Sequence, residues 1–525
     1  MSFVSWQYLM LLVVGVPVYW TLPQRGRIYL LWAASYFFYG FWDARFLALI
    51  FTTTTADYFC ALGMSGRRVP FARMFGICLL PAGWLAVGTQ FGFGSARASW
   101  SVVGLALLLP ALFPLLHSLA VAAEGEHRRR RLLWLSVGIN LSVLGCFKYF
   151  NFFADSLITL LQSAGWTPGW TLPHILLPVG ISFYTFQSLS YTVDVYRAKA
   201  EATEDFPVFA TYLAFFPQLV AGPIERPAAL LPQFHGLREW HPDEARRGVR
   251  LILVGWFKKV FVADNCALVA NHVFAPAGDL DAAWAVLGTV AFAFQIYGDF
   301  SGYTDIARGS ARLLGIHLSP NFRFPYFANG PSDFWQRWHI TLSSWFRDYV
   351  YIPLGGNRTG SGKTLRNLFI TMLLAGLWHG ASWTFVLWGA FHGVLLIAYR
   401  VIPPLQMLEG NRAVPARILA PLVMFGFTLV GWALFRSPDF ATFGRWCLAL
   451  GNAPTGPAEA WLRPALWLLI HIGPLLLLQA FTWKAQDEIE FANWFKPFQV
   501  LTLLLLFLLV MSSTRVDQEF LYFQF

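Results

Sequence analysis

Charge is what this sequence has least of. Lys, Arg, Asp and Glu fill 13% of its 525 positions, about half the roughly 25% of a soluble domain, while hydrophobic residues fill 57%. Such a chain cannot give a globular surface its polar cover, so a lipid environment is implied instead. Cysteine is scarce as well. Cys60, Cys78, Cys146, Cys266 and Cys447 are scattered through apolar surroundings with no CxxC spacing, which reads as small buried hydrophobes rather than a disulfide framework. No HExxH motif or Cys/His cluster occurs, so no metal site is expected. Gly360-Ser-Gly-Lys363-Thr364 lacks the upstream glycine and preceding strand of a phosphate-binding loop, and nucleotide hydrolysis is not expected either. The net charge of +10 suits anionic lipid and cytoplasmic loops better than nucleic acid.

What is there instead is a recurrence of apolar runs from end to end. Runs near 3–20, 28–51, 71–91, 101–123, 132–152, 174–194, 249–271, 283–304, 367–399, 414–435, 461–480 and 497–513 predict an all-α polytopic membrane protein with about eleven to thirteen crossings. The run at 367–399 is too long for one pass. The first run has no basic n-region or small-residue cleavage site and reads as a retained membrane helix. The chain reads as one transmembrane domain, 1–525, and the 18% of aromatic residues suits interfacial belts and bulky packing.

Basic loops set an orientation. Arg67, Arg68 and Arg73, then Arg128 to Arg131, are expected in the cytoplasm, while 155–172 and 275–281, without Lys or Arg, are expected outside. In that scheme Arg25 and Arg27 fall on the wrong side. Two segments read poorly as simple spans. Thr211 to Glu225 is apolar but broken by Pro217, Gly222 and Pro223, which suggests a re-entrant element shielded by protein. The stretch 305–366 mixes Arg308, Arg312, Arg323, Arg337, Arg347, Arg358, Lys363 and Arg366 with many aromatics. Within it Phe334, Trp338, Leu342, Trp345 and Tyr349 recur at helical spacing, predicting one amphipathic helix over 334–351 at the cytoplasmic interface, ended by Pro353, Gly355 and Gly356.

Two histidines carry the chemical interest. His379 lies within the apolar segment 367–400, where an ionisable group is costly unless it faces protein or a wet cavity. Imidazole moves protons near neutral pH, as transfer of an acyl group to a hydroxyl requires. The flanking Gly376 and Gly380 allow a helix break around it. The other reading is a structural hydrogen bond between helices, which suits His392 better. His339 sits in the basic, aromatic stretch. Gln295, Tyr297, Asp299, Tyr303 and Asp305 end an apolar run, where the acids could neutralise arginines such as Arg308 or line a pathway. Pro178, Gly180, Ser182, Tyr184, Gln187, Tyr191 and Asp194 likewise put polar groups within a span.

Taken together, YFFYGFWD (36–43), PVGISFYTFQSLSYTVDVYR (178–197), FFPQLVAGPIER (215–226), 294–305, 321–354, 376–382 and the terminal FLYFQF resemble the membrane-bound O-acyltransferase family, in its bacterial polysaccharide-acetylating branch. The resemblance implies a multi-helix membrane-bound O-acyltransferase fold with re-entrant segments and cytoplasmic amphipathic helices. It implies that His379 is the family's near-invariant histidine, with His339 at its second conserved position, and that no metal or redox cofactor is bound. Trp378, Trp338, Arg337 and Tyr297 are expected along the donor path. The implied reaction takes an acetyl group, with acetyl-CoA as donor, from the cytoplasm of a bacterial cell across the inner membrane. The implied acceptor is an extracytoplasmic polysaccharide such as alginate, reached directly or through a periplasmic or membrane-anchored acetyltransferase. Peptidoglycan or cellulose acetylation, D-alanyl transfer from a carrier protein, and a transporter or scaffold are the alternatives. The absence of internal repeats speaks against a transporter.

Overall fold

The computed structural model describes residues 2–91, 103–104, 106–167, 175–220, 222–236, 238–275, 280–358, 360–410, 414–454, 457–485, 487–489, 494–513 and 520–521. Every long element among them is a helix, and seven are long and apolar enough to cross a bilayer: Gln24–Met64, Phe71–Gln90, Gly125–Ser163, Ala282–Leu313, Trp383–Val401, Pro415–Arg436 and Glu459–Phe481. Three shorter apolar helices, Trp6–Thr21, Leu112–Val121 and Lys496–Ser512, accompany them. The chain is therefore an all-α polytopic membrane protein. Among the described residues these seven stretches do not match the apolar runs one for one, because some runs form helices too short or polar to qualify and others join into longer stretches. One of the short ones is 174–194, whose helix runs Ile181–Tyr196. The loops 155–172 and 275–281 and the terminal FLYFQF lie partly outside the described residues. Of the cysteines, Cys60, Cys78 and Cys266 are buried as expected, but Cys146 and Cys447 are exposed.

The helices fall into two compact units, one of residues 1–242 and 311–318, the other of 243–310 and 319–525. In the first, the span Gln24–Met64 is not one crossing. At 1.5 Å per residue it would be about 60 Å long, roughly twice a hydrocarbon core. A 3₁₀ turn at Ala44–Phe46 breaks it, with Asp43 accepting from the Arg45 backbone N–H and pairing with its guanidinium at 2.6 Å. Phe206 touches Trp32 on one arm and Phe51 and Tyr58 on the other, so the arms lie side by side as a hairpin. Arg25 and Arg27 thereby come to the same end of the unit as Arg67, Arg68 and Arg73, which removes the misplacement left by treating 28–51 as a single pass. A buried carboxylate ties this unit together. Asp57 accepts from the Asn140 amide at 2.9 Å and from the hydroxyls of Ser136 and Ser188. The broken segment 211–225 is helical over Phe206–Ala214 and then runs as turns and extended chain, buried along most of its length by protein. Gly180, at φ +75°, lets that segment approach: a Cβ there would meet the Leu219 carbonyl oxygen at 2.8 Å.

The second unit is organised around Ala282–Leu313 up to Ser310. One face of this helix carries Gly298, Gly302 and Gly309, and it lies directly on Gly255 and Gly248 of the helix Pro242–Trp256 and on the π-helical turn Phe257–Ala263 that continues it. Any Cβ at Gly302 would sit 2.7 Å from the Gly255 carbonyl oxygen, and one at Gly309 2.5 Å from that of Gly248. Small residues are what permit such backbone contact between membrane helices. The same device joins Ser361–His379 to Trp383–Val401, where a Cβ at Gly376 would lie 2.3 Å from the Phe385 carbonyl oxygen and one at Gly389 2.5 Å from that of Met372.

Candidate functional site

The apolar run 367–400 is two helices that meet at His379. The first ends on it, Gly380 continues in extended conformation, and Ser382 caps the second by accepting from the Thr384 backbone N–H at 3.1 Å. Because a Cβ at Gly380 would fall 2.1 Å from the Phe385 ring, only glycine lets the chain turn so tightly beside that ring. The turn leaves His379 almost wholly buried, with aromatic neighbours set edge to face that include Trp388 at 4.9 Å between centroids, Trp378 at 5.0 Å and Phe435 at 5.4 Å. Between these helices and the segment 332–351 is a cavity of about 440 Å³. His379 lines it, together with polar Gln336, Ser343, Ser344, Arg347 and Tyr351 and apolar Trp335 and Met372. An imidazole held by rings and bordering a cavity with both apolar and hydrogen-bonding walls suits proton transfer within a bound substrate.

The amphipathic stretch 334–351 is not one helix. Pro331–Arg337 ends at Trp338, His339 takes a left-handed backbone conformation (φ +43°), and a new helix runs Ile340–Phe346 before a π-helical turn over Arg347–Tyr351. Helical spacing could not reveal the break, since the apolar residues on both sides keep the same period. Asn321 holds the junction. Its carbonyl oxygen accepts from the Ile340 N–H at 2.9 Å, and its side chain accepts from the Thr341 hydroxyl at 2.7 Å. A non-glycine residue at positive φ is strained and needs such support. His339 is fully buried, 4.6 Å from Phe300 and 6.0 Å from Trp378 between ring centroids. Burial pushes its imidazole down to about 3, so it is neutral near pH 7. Trp378 thus touches both histidines. His339 stands behind the cavity wall, and the residues that follow it, Ile340 and Leu342 to Ser344, form part of that wall.

The four residues expected on the donor path do not line this cavity. Trp338 is fully buried among Phe322, Phe334 and Trp432. The Tyr297 hydroxyl donates to Glu488 at 2.8 Å and accepts from Gln479 at 2.8 Å. Arg337 pairs with Asp333 at 2.6 Å, and Trp378 faces the histidines. Asp299 and Asp305 prove to be ion-pair partners, and of more cations than Arg308 alone. Lys258 reaches Asp305 at 2.7 Å and Glu488 at 3.2 Å, Lys259 reaches Asp264 at 2.8 Å and Asp299 at 2.7 Å, and Arg308 reaches Asp305 at 3.0 Å. Asp299 also accepts from the Leu521 N–H at 2.6 Å, and Phe520 packs on Tyr303 and Phe300, the ring behind His339. The lysines are absent from the candidates above, although two adjacent cations inside an apolar run are a visible signal of buried pairing. His392 packs among Phe334, Trp335 and Trp388, away from the cavity lining. Among the described residues no three His, Cys, Asp or Glu side chains converge as metal ligands.

Residues 200–435, which include both histidines and the cavity, match the model of the MBOAT, membrane-bound O-acyltransferase family. The "Probable alginate O-acetylase AlgI" of Pseudomonas putida is 36% identical over 98% of this chain and 98% of its own. The chain belongs to the membrane-bound O-acyltransferase family. It falls in the branch of the AlgI proteins; that of Pseudomonas aeruginosa is 38% identical, covering 83% of this chain and 74% of its own. A "Peptidoglycan O-acetyltransferase" of Helicobacter pylori is 34% identical, covering 69% of this chain and 72% of its own. In this acyltransferase the glycine-bounded helix end at His379 and the strained junction at His339 both lie within the matched region.

Proposed function

We propose that this protein transfers acetyl groups from a cytoplasmic donor, acetyl-CoA, across the bacterial inner membrane. The acceptor in this proposal is an extracytoplasmic polysaccharide, alginate, reached directly or through a periplasmic or membrane-anchored partner acetyltransferase. The observation that carries the reading is the position of His379: buried, ringed by aromatics and bordering a cavity large enough for a small acyl group and part of its carrier. His379 takes the proton of the acceptor hydroxyl as its oxygen attacks the acetyl carbonyl. The carbon–sulfur bond of the thioester then breaks, and the proton passes to the departing thiolate. No metal or redox change is needed for that exchange. His339, neutral and buried, positions Trp378 and through it the His379 ring. Trp378, Trp338, Arg337 and Tyr297, none of which lines the cavity, act as supports behind the donor path.

Alginate is favoured as acceptor by the near-complete overlap with the Pseudomonas putida protein; peptidoglycan is the second reading, favoured by the Helicobacter relative. Purified protein with labelled acetyl-CoA, offered alginate and peptidoglycan in turn with and without the secreted partner, tests both. His379→Ala should reduce transfer to background while the protein still folds. Full activity in that variant would sink the catalytic assignment, and transfer only to peptidoglycan would overturn the alginate reading.

A further inference from the structure

At one end of the first unit two arginines lie together with no acid paired to either among the described residues. Arg27 opens the hairpin Gln24–Met64 and Arg238 lies in the loop after the helix Pro227–His235. Each guanidinium nitrogen of Arg27 has an acceptor: its Nε donates to the Leu22 carbonyl at 2.9 Å and its terminal nitrogens to the carbonyls of Arg238 at 2.8 Å and Trp20 at 3.5 Å. Its guanidinium also lies over the rings of Trp20 and Tyr19, at 4.9 and 5.3 Å. Arg238 is the opposite case. All three of its guanidinium nitrogens are buried, and none has a hydrogen-bond acceptor among the described residues. Its neighbours are the faces of Tyr19 and Phe234, each 5.9 Å away, and the like charge of Arg27.

Long basic side chains at a membrane edge normally extend their charge to water. Arg238 instead turns inward, where a guanidinium without an acceptor is costly. Its neighbours pack closely around it. Gly315, at φ +70°, has room for no Cβ without crowding Trp20 at 3.3 Å and the Arg238 stem at 3.4 Å, and Trp20 is fixed by donating to the Leu313 carbonyl at 3.0 Å. The exposed ring of Trp240 closes over Trp20 edge to face at 5.4 Å.

We propose that Arg238, backed by Arg27, is a binding site for a phosphate group. A planar fork with free donors, a second positive charge behind it and an indole at the rim match a tetrahedral oxyanion carried at headgroup depth. The group can belong to an anionic phospholipid or arrive free in solution. The site stands independently of the acyl-transfer reading, because it involves neither histidine.

The test uses the full chain and reads thermal unfolding. One arm titrates inorganic phosphate into detergent-solubilised protein; the other compares nanodiscs of phosphatidylcholine with nanodiscs containing phosphatidylglycerol, with native mass spectrometry to detect retained lipid. Stabilisation and retention by phosphatidylglycerol alone identify a lipid headgroup, and stabilisation by phosphate as well identifies a site open to solution. Arg238→Gln should abolish either response. Arg238→Lys, which keeps the charge but loses the fork, should weaken it by roughly tenfold in apparent affinity. No response in the wild type, or the same response in both variants as in the wild type, overturns the proposal.

Discussion

The indole of Trp388 meets the imidazole of His379 edge to face, centroids 4.9 Å apart and planes at 81°. Trp388 is itself fully buried, so the contact is part of the core as well as of the site. We predict that Trp388→Ala destabilises the protein by about 3–5 kcal/mol, as large core truncations do, and removes acyl transfer with it. Trp388→Phe keeps an aromatic edge against His379 and should retain the fold and a reduced rate. Melting in detergent beside the transfer assay separates the two effects. An alanine variant with wild-type activity would mean that this ring does not hold the imidazole.

His339 gives a pH dependence with a definite sign. Its imidazole sits at about 3 in the folded protein, against an ordinary value near 6.5. Between those limits the unfolded chain binds a proton that the folded chain refuses. The contribution is therefore whole above pH 6.5 and is lost as pH falls towards 3, by no more than about 1.4 kcal/mol per unit. Thermal unfolding from pH 7 to pH 5 should show this slope, and His339→Gln should flatten it. An unchanged slope in the variant would assign the acid sensitivity to another group.

The buried lysines should be intolerant of single changes. Lys258→Met removes the cation that Glu488 reaches and leaves Asp305 with Arg308 alone in a buried site, for which a cost of about 3–5 kcal/mol is expected. Lys258→Met combined with Glu488→Gln should recover part of the loss, because one orphaned charge is removed along with its partner. A double variant no more stable than the single one would argue that the pairs act independently.

The glycine contact beneath His379 makes a steric prediction. Gly376→Ala puts a Cβ 2.3 Å from a backbone oxygen that no rotamer can move aside, so the two helices must separate. We expect a loss of about 1–3 kcal/mol and a larger proportional loss of activity, since the shift falls three residues from the imidazole. Gly362→Ala, in the same helix with open space around it, is the control and should be neutral. If both behave alike, close packing at Gly376 is not what positions His379.

Much of this arrangement was legible in the sequence where a single residue type has one physical use. Glycines beside a histidine in an apolar run signalled a helix end, and the helix does end on His379. The hairpin at Asp43–Phe46 was hidden because neither proline nor glycine marks the turn; an Asp–Arg pair makes it, and such pairs are common elsewhere. The break at His339 was hidden for the same reason, its support coming from Asn321, far back in the chain. The cavity lining could not be read at all. It depends on which side of the 332–351 segment turns towards the helix Ser361–His379, and helical periodicity stops at the strained residue between its two short helices.

Gly298, Gly302 and Gly309 press bare backbone against bare backbone. A seam of that kind leaves little for side chains to rearrange, which favours the two helices moving together with the buried lysines and their acids. Whatever movement admits a donor or releases a product then falls to the parts that are not welded. The π-helical turn bearing Arg347 and Tyr351, beyond the left-handed joint at His339, lies outside that seam and lines the cavity.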